Sequence, residues 1–138
     1  MGAPKTVATN CPCGSGLDYR DCCQPCHDGE PAPTAEALMR SRYSAYVKRL
    51  TPYLLATWDT PTRPPALDLD DDTRWLGLEV KRHAPTGDDA AIVEFVARYK
   101  LGGRAFRLHE ISRFVRRDGR WYYVDGQFPE PDGRQKKN

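Results

Sequence analysis

The chain has 138 residues, with 21 Lys and Arg against 19 Asp and Glu and a formal net charge of +2. That length suits one globular domain with a small appendage, and so mild a charge points away from a polyanion such as nucleic acid as partner. The first ten residues lack the apolar stretch of a secretory signal and no apolar run is long enough to span a bilayer, so no membrane insertion is expected.

Residues 1–10 read as a flexible tail. Cys11-Pro12-Cys13 follows, then a spacer holding Gly14-Ser15-Gly16, then Cys22-Cys23. A Cys-x-Cys pair facing a Cys-Cys pair can place four thiolates on one tetrahedral Zn²⁺, so Cys11, Cys13, Cys22 and Cys23 are the expected zinc ligands. The pattern resembles the SEC-C motif, named from the C-terminal end of the bacterial translocase SecA. Five cysteines cannot close a disulfide framework, and the fifth, Cys26, stands beside His27; either could replace one thiolate as a ligand. Free thiols without an export signal place the chain in the cytoplasm. Residues 11–30 form a zinc knuckle that buries too little apolar surface to order itself without metal. It is expected to be a satellite, whose loss leaves the following domain folded.

The domain is expected over residues 31–128. Thr34 is a helix N-cap with Glu36 in the first turn, and Ala35, Leu38, Met39, Tyr43, Tyr46, Val47 and Leu50 recur at helical spacing. Thr51-Pro52 starts a second helix carrying Tyr53, Leu54, Leu55 and Trp58. Residues 59–73 read as loop. Asp68, Asp70, Asp72 and Glu79 fall at calcium-loop spacing, but Thr73 stands where that turn needs glycine, so the run is a solvated loop. The period then becomes two, giving strands over 75–82, 91–101, 104–117 and 120–128, the last pair joined by the hairpin signal Asp118-Gly119. Helices followed by a strand meander define an α+β domain with helices on an antiparallel sheet. Residues 129–138 read as a disordered tail.

Two departures from this patterning suggest a site. Arg42 projects between Leu38 and Tyr46 on the apolar face of the first helix, where a guanidinium needs a carboxylate or must reach out along its stem. A two-residue turn at Asp118-Gly119 puts Phe114 opposite Tyr123 and Ser112 opposite Asp125, with Glu110 one position along, all on one apolar face. Arg42, Tyr46, Glu110, Ser112, Tyr123 and Asp125 therefore line a pocket, or else only tie helix to sheet. In a pocket, paired carboxylates have their pKa values pushed apart, as acid–base chemistry requires.

The blocks Met39-Arg40-Ser41-Arg42-Tyr43-Ser44-Ala45-Tyr46, Trp75-Leu76-Gly77-Leu78, Phe95-Val96-Ala97-Arg98-Tyr99, Glu110-Ile111-Ser112-Arg113-Phe114 and Trp121-Tyr122-Tyr123-Val124-Asp125-Gly126 resemble the bacterial YchJ-like proteins. The resemblance implies a SEC-C knuckle joined to the cone-shaped α+β fold of the nuclear transport factor 2 superfamily. There a curved sheet wraps the long helix and leaves a cavity at its wide end. It implies no particular reaction. Some members carry a second SEC-C motif after the cone, which is missing here. The spacer Leu17-Asp18-Tyr19-Arg20-Asp21 also lacks the lysines common in that motif, which weighs further against nucleic acid or anionic lipid.

Two functions follow. One is a zinc-binding cytosolic adaptor that meets a protein partner, by analogy with the SecA tail. The other is a small-molecule binder or enzyme using the cone cavity, with Asp125 or Glu110 as base and Arg42 steering an anion. No Cys-His or Ser-His nucleophile set is present, and a zinc ligated by four cysteines keeps no open position for a catalytic water. The adaptor is the reading the sequence favours.

Overall fold

The computed structural model describes residues 10–129; the two expected tails lie almost wholly outside the described residues. Within that range the knuckle contains a single 3₁₀ turn, Tyr19–Asp21, and a short helix α1, Gln24–His27. Helix α2 runs Ala35–Lys48, α3 runs Thr51–Ala56, and a second 3₁₀ turn covers Thr60–Thr62. Strands β1 (Arg74–Gly87), β2 (Ala90–Leu101), β3 (Arg104–Arg117) and β4 (Arg120–Gln127) form one antiparallel meander in chain order. The α+β architecture expected from the sequence, helices packed on an antiparallel sheet, is the one observed. β1 continues beyond its expected end at residue 82, carrying Pro85 where an edge strand tolerates it.

Local chemistry sets the element ends. The Thr34 hydroxyl accepts from Ala37 N at 3.0 Å and caps α2. The helix stops at Arg49, whose left-handed φ of 62° lets its N–H close on the Ala45 and Tyr46 carbonyls. Asp118 and Gly119 both have positive φ, as a type I′ hairpin requires.

Helix α2 is buried nearly all round. Leu38, Met39 and Tyr43 join Ala91, Val93, Phe95, Ala97 and Phe114 of the sheet in one core cluster. Cys11, Cys13, Cys23 and Cys26 belong to that same cluster, so the knuckle packs directly on the domain core. The physical reason lies in two small polar side chains of α2, Ser41 and Ser44, which are fully buried and accept the knuckle at close range.

β4 differs from the expected register. Phe114 does face Tyr123, but the next pair is Arg113 with Asp125, and Ser112 faces Gly126. Val124 is thus an extra residue in β4, a bulge that sends Asp125 to the opposite face of the sheet. Beside the bulge the chain at Thr57–Asp59 pairs with β4: Asp59 N donates to Tyr123 O at 2.7 Å, and Tyr123 N donates to Thr57 O at 2.8 Å. Arg117 then clamps the buried Asp59 carboxylate through two bonds of 2.9 and 3.0 Å.

Candidate metal centre and cone cavity

The Sγ atoms of Cys11, Cys13, Cys22 and Cys23 all lie within 4.8 Å of one another. A tetrahedral zinc with bonds near 2.3 Å separates its sulfurs by about 3.8 Å. The Cys13–Cys22 and Cys22–Cys23 sulfurs are 3.6 and 3.9 Å apart, matching that edge and far too long for disulfides. All five cysteines are free. Positive φ at Gly14 and Gly16 folds the spacer back, and Cys11 N donates to Leu17 O at 2.9 Å to close it.

The donor chemistry fits a divalent metal. Hydrogen bonds among the thiols lower the Cys11 pKa below its ordinary range and raise that of Cys23. Four thiols this close would bind a divalent metal as thiolates, releasing their protons. Ser44 Oγ lies 3.4 Å from Cys11 Sγ and donates to Cys23 Sγ at 3.3 Å, while Ser15 Oγ is 3.1 Å from Cys22 Sγ. Such outer contacts orient thiolate ligands. Arg40 adds a bond from Nη1 to Cys13 O at 2.9 Å, placing a positive charge beside a site that is dianionic once zinc is bound.

Cys26 and His27 are not in the cluster. Cys26 is buried as core. His27 welds the knuckle to α2: Nε2 donates to Ser41 O at 2.8 Å, which leaves Nδ1 to accept from Tyr19 OH at 2.6 Å. Both nitrogens are used and burial holds the ring neutral, pushing its pKa down.

A cavity of about 700 Å³ lies between helix α2, the sheet and the 67–73 loop. Its walls include Tyr43 and Tyr46 of α2, Trp75 of β1, Phe95 and Tyr99 of β2, and Leu108 and Glu110 of β3, with the 67–73 loop at its rim. Glu110 is only 7 % exposed. Its Oε2 accepts from Ser112 Oγ at 2.8 Å and Tyr123 OH at 3.0 Å, and burial pushes its pKa up. Among the described residues no donor reaches Oε1. Gly126 makes room for this carboxylate: a Cβ there would stand 1.9 Å from Oε2.

Of the six residues expected to line a pocket, Tyr46 and Glu110 do so. Ser112 and Tyr123 stand behind Glu110 and orient it. Arg42 stands deeper still, 3 % exposed, and reaches no carboxylate among the described residues. Its Nη1 donates to Leu54 O at 2.8 Å and Thr57 Oγ1 at 2.7 Å, and its guanidinium lies 5.1 Å from the Trp58 ring centre and 4.6 Å from that of Tyr123. Leu54 O is one of the orphan carbonyls at the end of α3, and two ring faces with a helix C-terminus replace the expected carboxylate. Asp125 is outside the site. The Val124 bulge turns it outward, where both its oxygens accept from Arg113 at 2.7 Å, so Arg42 cannot steer an anion toward it and it is no base in the cavity.

Ser44, Gly126 and Trp58 carry roles that sequence reasoning did not assign. A signal existed for the first: Ser41 and Ser44 interrupt a helix whose other positions are apolar or long, which marks a face packed closely against something small.

A four-cysteine knuckle docked on a cone-shaped helix-and-sheet domain defines the class: a SEC-C motif fused to a domain like nuclear transport factor 2. The family model described as YchJ, middle NTF2-like domain, matches residues 34–126, and the SEC-C motif matches residues 10–25. The chain belongs to the YchJ-like family. It is 56 % identical to a UPF0225 protein of Chromobacterium violaceum, over 91 % of this chain and 98 % of that one. A UPF0225 protein of Cupriavidus metallidurans is also 56 % identical, over 94 % of this chain and 96 % of the relative. The solution structure of a SEC-C motif containing protein from Rhodopseudomonas palustris aligns with a TM-score of 0.78 at 36 % identity, covering 88 % of this chain and 99 % of that one. A crystal structure of a SEC-C motif containing protein from Psychrobacter arcticus aligns with a TM-score of 0.73 at 35 % identity, covering 91 % and 85 %. No helix among the described residues is long and apolar enough to cross a membrane.

Proposed function

We propose that this protein binds a small molecule in the cone cavity, and that a structural zinc held by Cys11, Cys13, Cys22 and Cys23 braces the helix forming one cavity wall. The observation that carries the first part is Glu110. A carboxylate that is 7 % exposed, fixed through Oε2 by two hydroxyls and lining the cavity, is costly to bury and is arranged as a ligand contact. A core built only for packing would fill that space with apolar side chains. The zinc part is supported by the sulfur geometry and by Ser44, which links the cluster to α2 two residues before Tyr46. Five free cysteines support a reducing, cytoplasmic setting for this role.

Native mass spectrometry of protein purified from cells without added ligand tests it. The expected mass is chain plus one zinc plus a small molecule, the last lost in Glu110→Gln. Chain plus zinc alone, unchanged by that variant, contradicts cavity binding. The adaptor reading keeps one supporting feature: Leu17 of the knuckle is 53 % exposed. A protein partner lost on Leu17→Ser, with the cavity empty, would favour it instead.

A further inference from the structure

The cavity walls are rich in aromatic faces. Trp75 packs against Tyr43, Tyr46 and Tyr99, with ring centres 5.7, 5.8 and 5.3 Å away. Aromatic faces are negative by their quadrupole and attract cations. Charge around the cavity points the same way. Asp68, Asp70, Asp71 and Glu110 line it, against two guanidiniums, Arg49 and Arg74. Arg49 is already engaged, by the Asp71 carboxylate and by the carbonyls of Leu69 and Asp70. Arg42 does not reach the cavity; its charge is taken up by Leu54 O, Thr57 and two rings behind the wall.

We propose that the cavity takes an organic cation, a quaternary or protonated amine whose positive centre meets Glu110 Oε1 and the aromatic wall around Trp75. This rests on the reading of the cavity as a ligand site. An anionic ligand would face Glu110 and the rim aspartates with only Arg74 in compensation. A neutral ligand would desolvate Glu110 further and bring no counter-charge of its own, which is costly for a buried carboxylate. A cation satisfies both constraints. The rim aspartates draw such a ligand in from solution.

Three probes of nearly the same shape separate the possibilities: choline, its neutral isostere tert-butylethanol, and the anion tert-butylacetate. Each is titrated calorimetrically into the zinc-loaded full chain, with the Trp75 indole N–H followed by NMR to report on the cavity. Choline is expected to bind about tenfold or more tightly than tert-butylethanol, the scale of a desolvated cation on aromatic faces, and tert-butylacetate least. Glu110→Gln should erase that preference while the protein still unfolds in one cooperative transition. Asp68→Asn, on the exposed loop and remote from the core, should weaken choline alone by about twofold, the scale of a screened surface charge. Equal or tighter binding of tert-butylethanol or tert-butylacetate, with the Trp75 signal shifting, overturns the cation assignment and leaves the cavity reading standing. Silence from all three probes at Trp75 overturns both.

Discussion

Replacing Arg42 by alanine separates a structural from a ligand-binding role for this residue. The guanidinium is 3 % exposed and makes two short bonds, of 2.8 and 2.7 Å, to Leu54 O and Thr57 Oγ1. Hydrogen bonds from a charged donor contribute about 1.5–3 kcal/mol each, and the ring contacts to Trp58 and Tyr123 about 1–2 kcal/mol more. These terms overlap because the cation must also be desolvated. Alanine additionally leaves the Leu54 carbonyl with only the long 3.4 Å bond from Thr57 Oγ1 and removes a cation whose field favours the Glu110 carboxylate. A net loss of about 3–5 kcal/mol follows, the range for breaking a buried charged cluster from one side. For a domain of this size that is a fall in Tm of roughly 10–20 °C. Arg42→Lys keeps the charge but cannot cover both oxygens and both rings, and should lose about half as much. The assay is paired thermal and urea unfolding at neutral pH. A loss under about 1 kcal/mol for Arg42→Ala, the value for a screened surface pair, would refute the dry, structural role argued for Arg42.

Glu110→Gln should stabilise the free protein at neutral pH. Burial raises the folded-state pKa of Glu110 above its ordinary value of 4.5, so the folded state holds that proton more tightly than the unfolded chain. The wild type therefore loses stability as pH rises from the unfolded pKa through the folded one. The Tm advantage of the variant should be largest above that window and vanish near pH 4; an advantage that does not change with pH would contradict it. Gly126→Ala should evict Glu110, because the new Cβ would lie 1.9 Å from Oε2 and 2.5 Å from Cδ. The expected signature is lower stability and the same loss of ligand binding as Glu110→Gln, and unaltered binding would count against the geometry. Removing the metal by chelation should lower the Tm of the whole domain by roughly 10 °C or more, since losing only ~3 kcal/mol does that at this size. Hydrogen exchange should show α2 losing protection around Ser41 and Ser44 together with the knuckle. A knuckle that melts alone, with α2 protection unchanged, would restore the satellite picture.

Much of the fold was legible because its signals are local. The Thr34 cap, the Pro52 restart and the Asp118-Gly119 turn each fix an element boundary from a few neighbouring residues, and the sheet order follows from short hairpins. The cysteine spacing likewise implies four converging sulfurs, and in the fold they lie within 4.8 Å of one another. What sequence reasoning could not see depends on a single inserted residue or on a distant contact. Nothing in Tyr123-Val124-Asp125 announces that Val124 bulges, yet that slip moves Asp125 to the other face and puts Gly126 opposite Ser112. The partner of Arg42 was sought among carboxylates because Coulomb attraction is the obvious remedy for a buried cation. The fold supplied a helix carbonyl, a hydroxyl and two ring faces from a segment whose return to β4 is set by tertiary pairing. The docking of the knuckle on α2 was hidden for the same reason, its one trace being two serines inside the helix.

The most direct measurement is a high-resolution crystal structure of the protein purified from cells with no ligand added. Difference density in the cone cavity is expected within about 2.6–3.2 Å of Glu110 Oε1, hydrogen-bonding distance, and against the Trp75 ring face. A cavity closed by the Tyr46 and Trp75 side chains, with Glu110 paired inside the protein through both oxygens, would contradict the account.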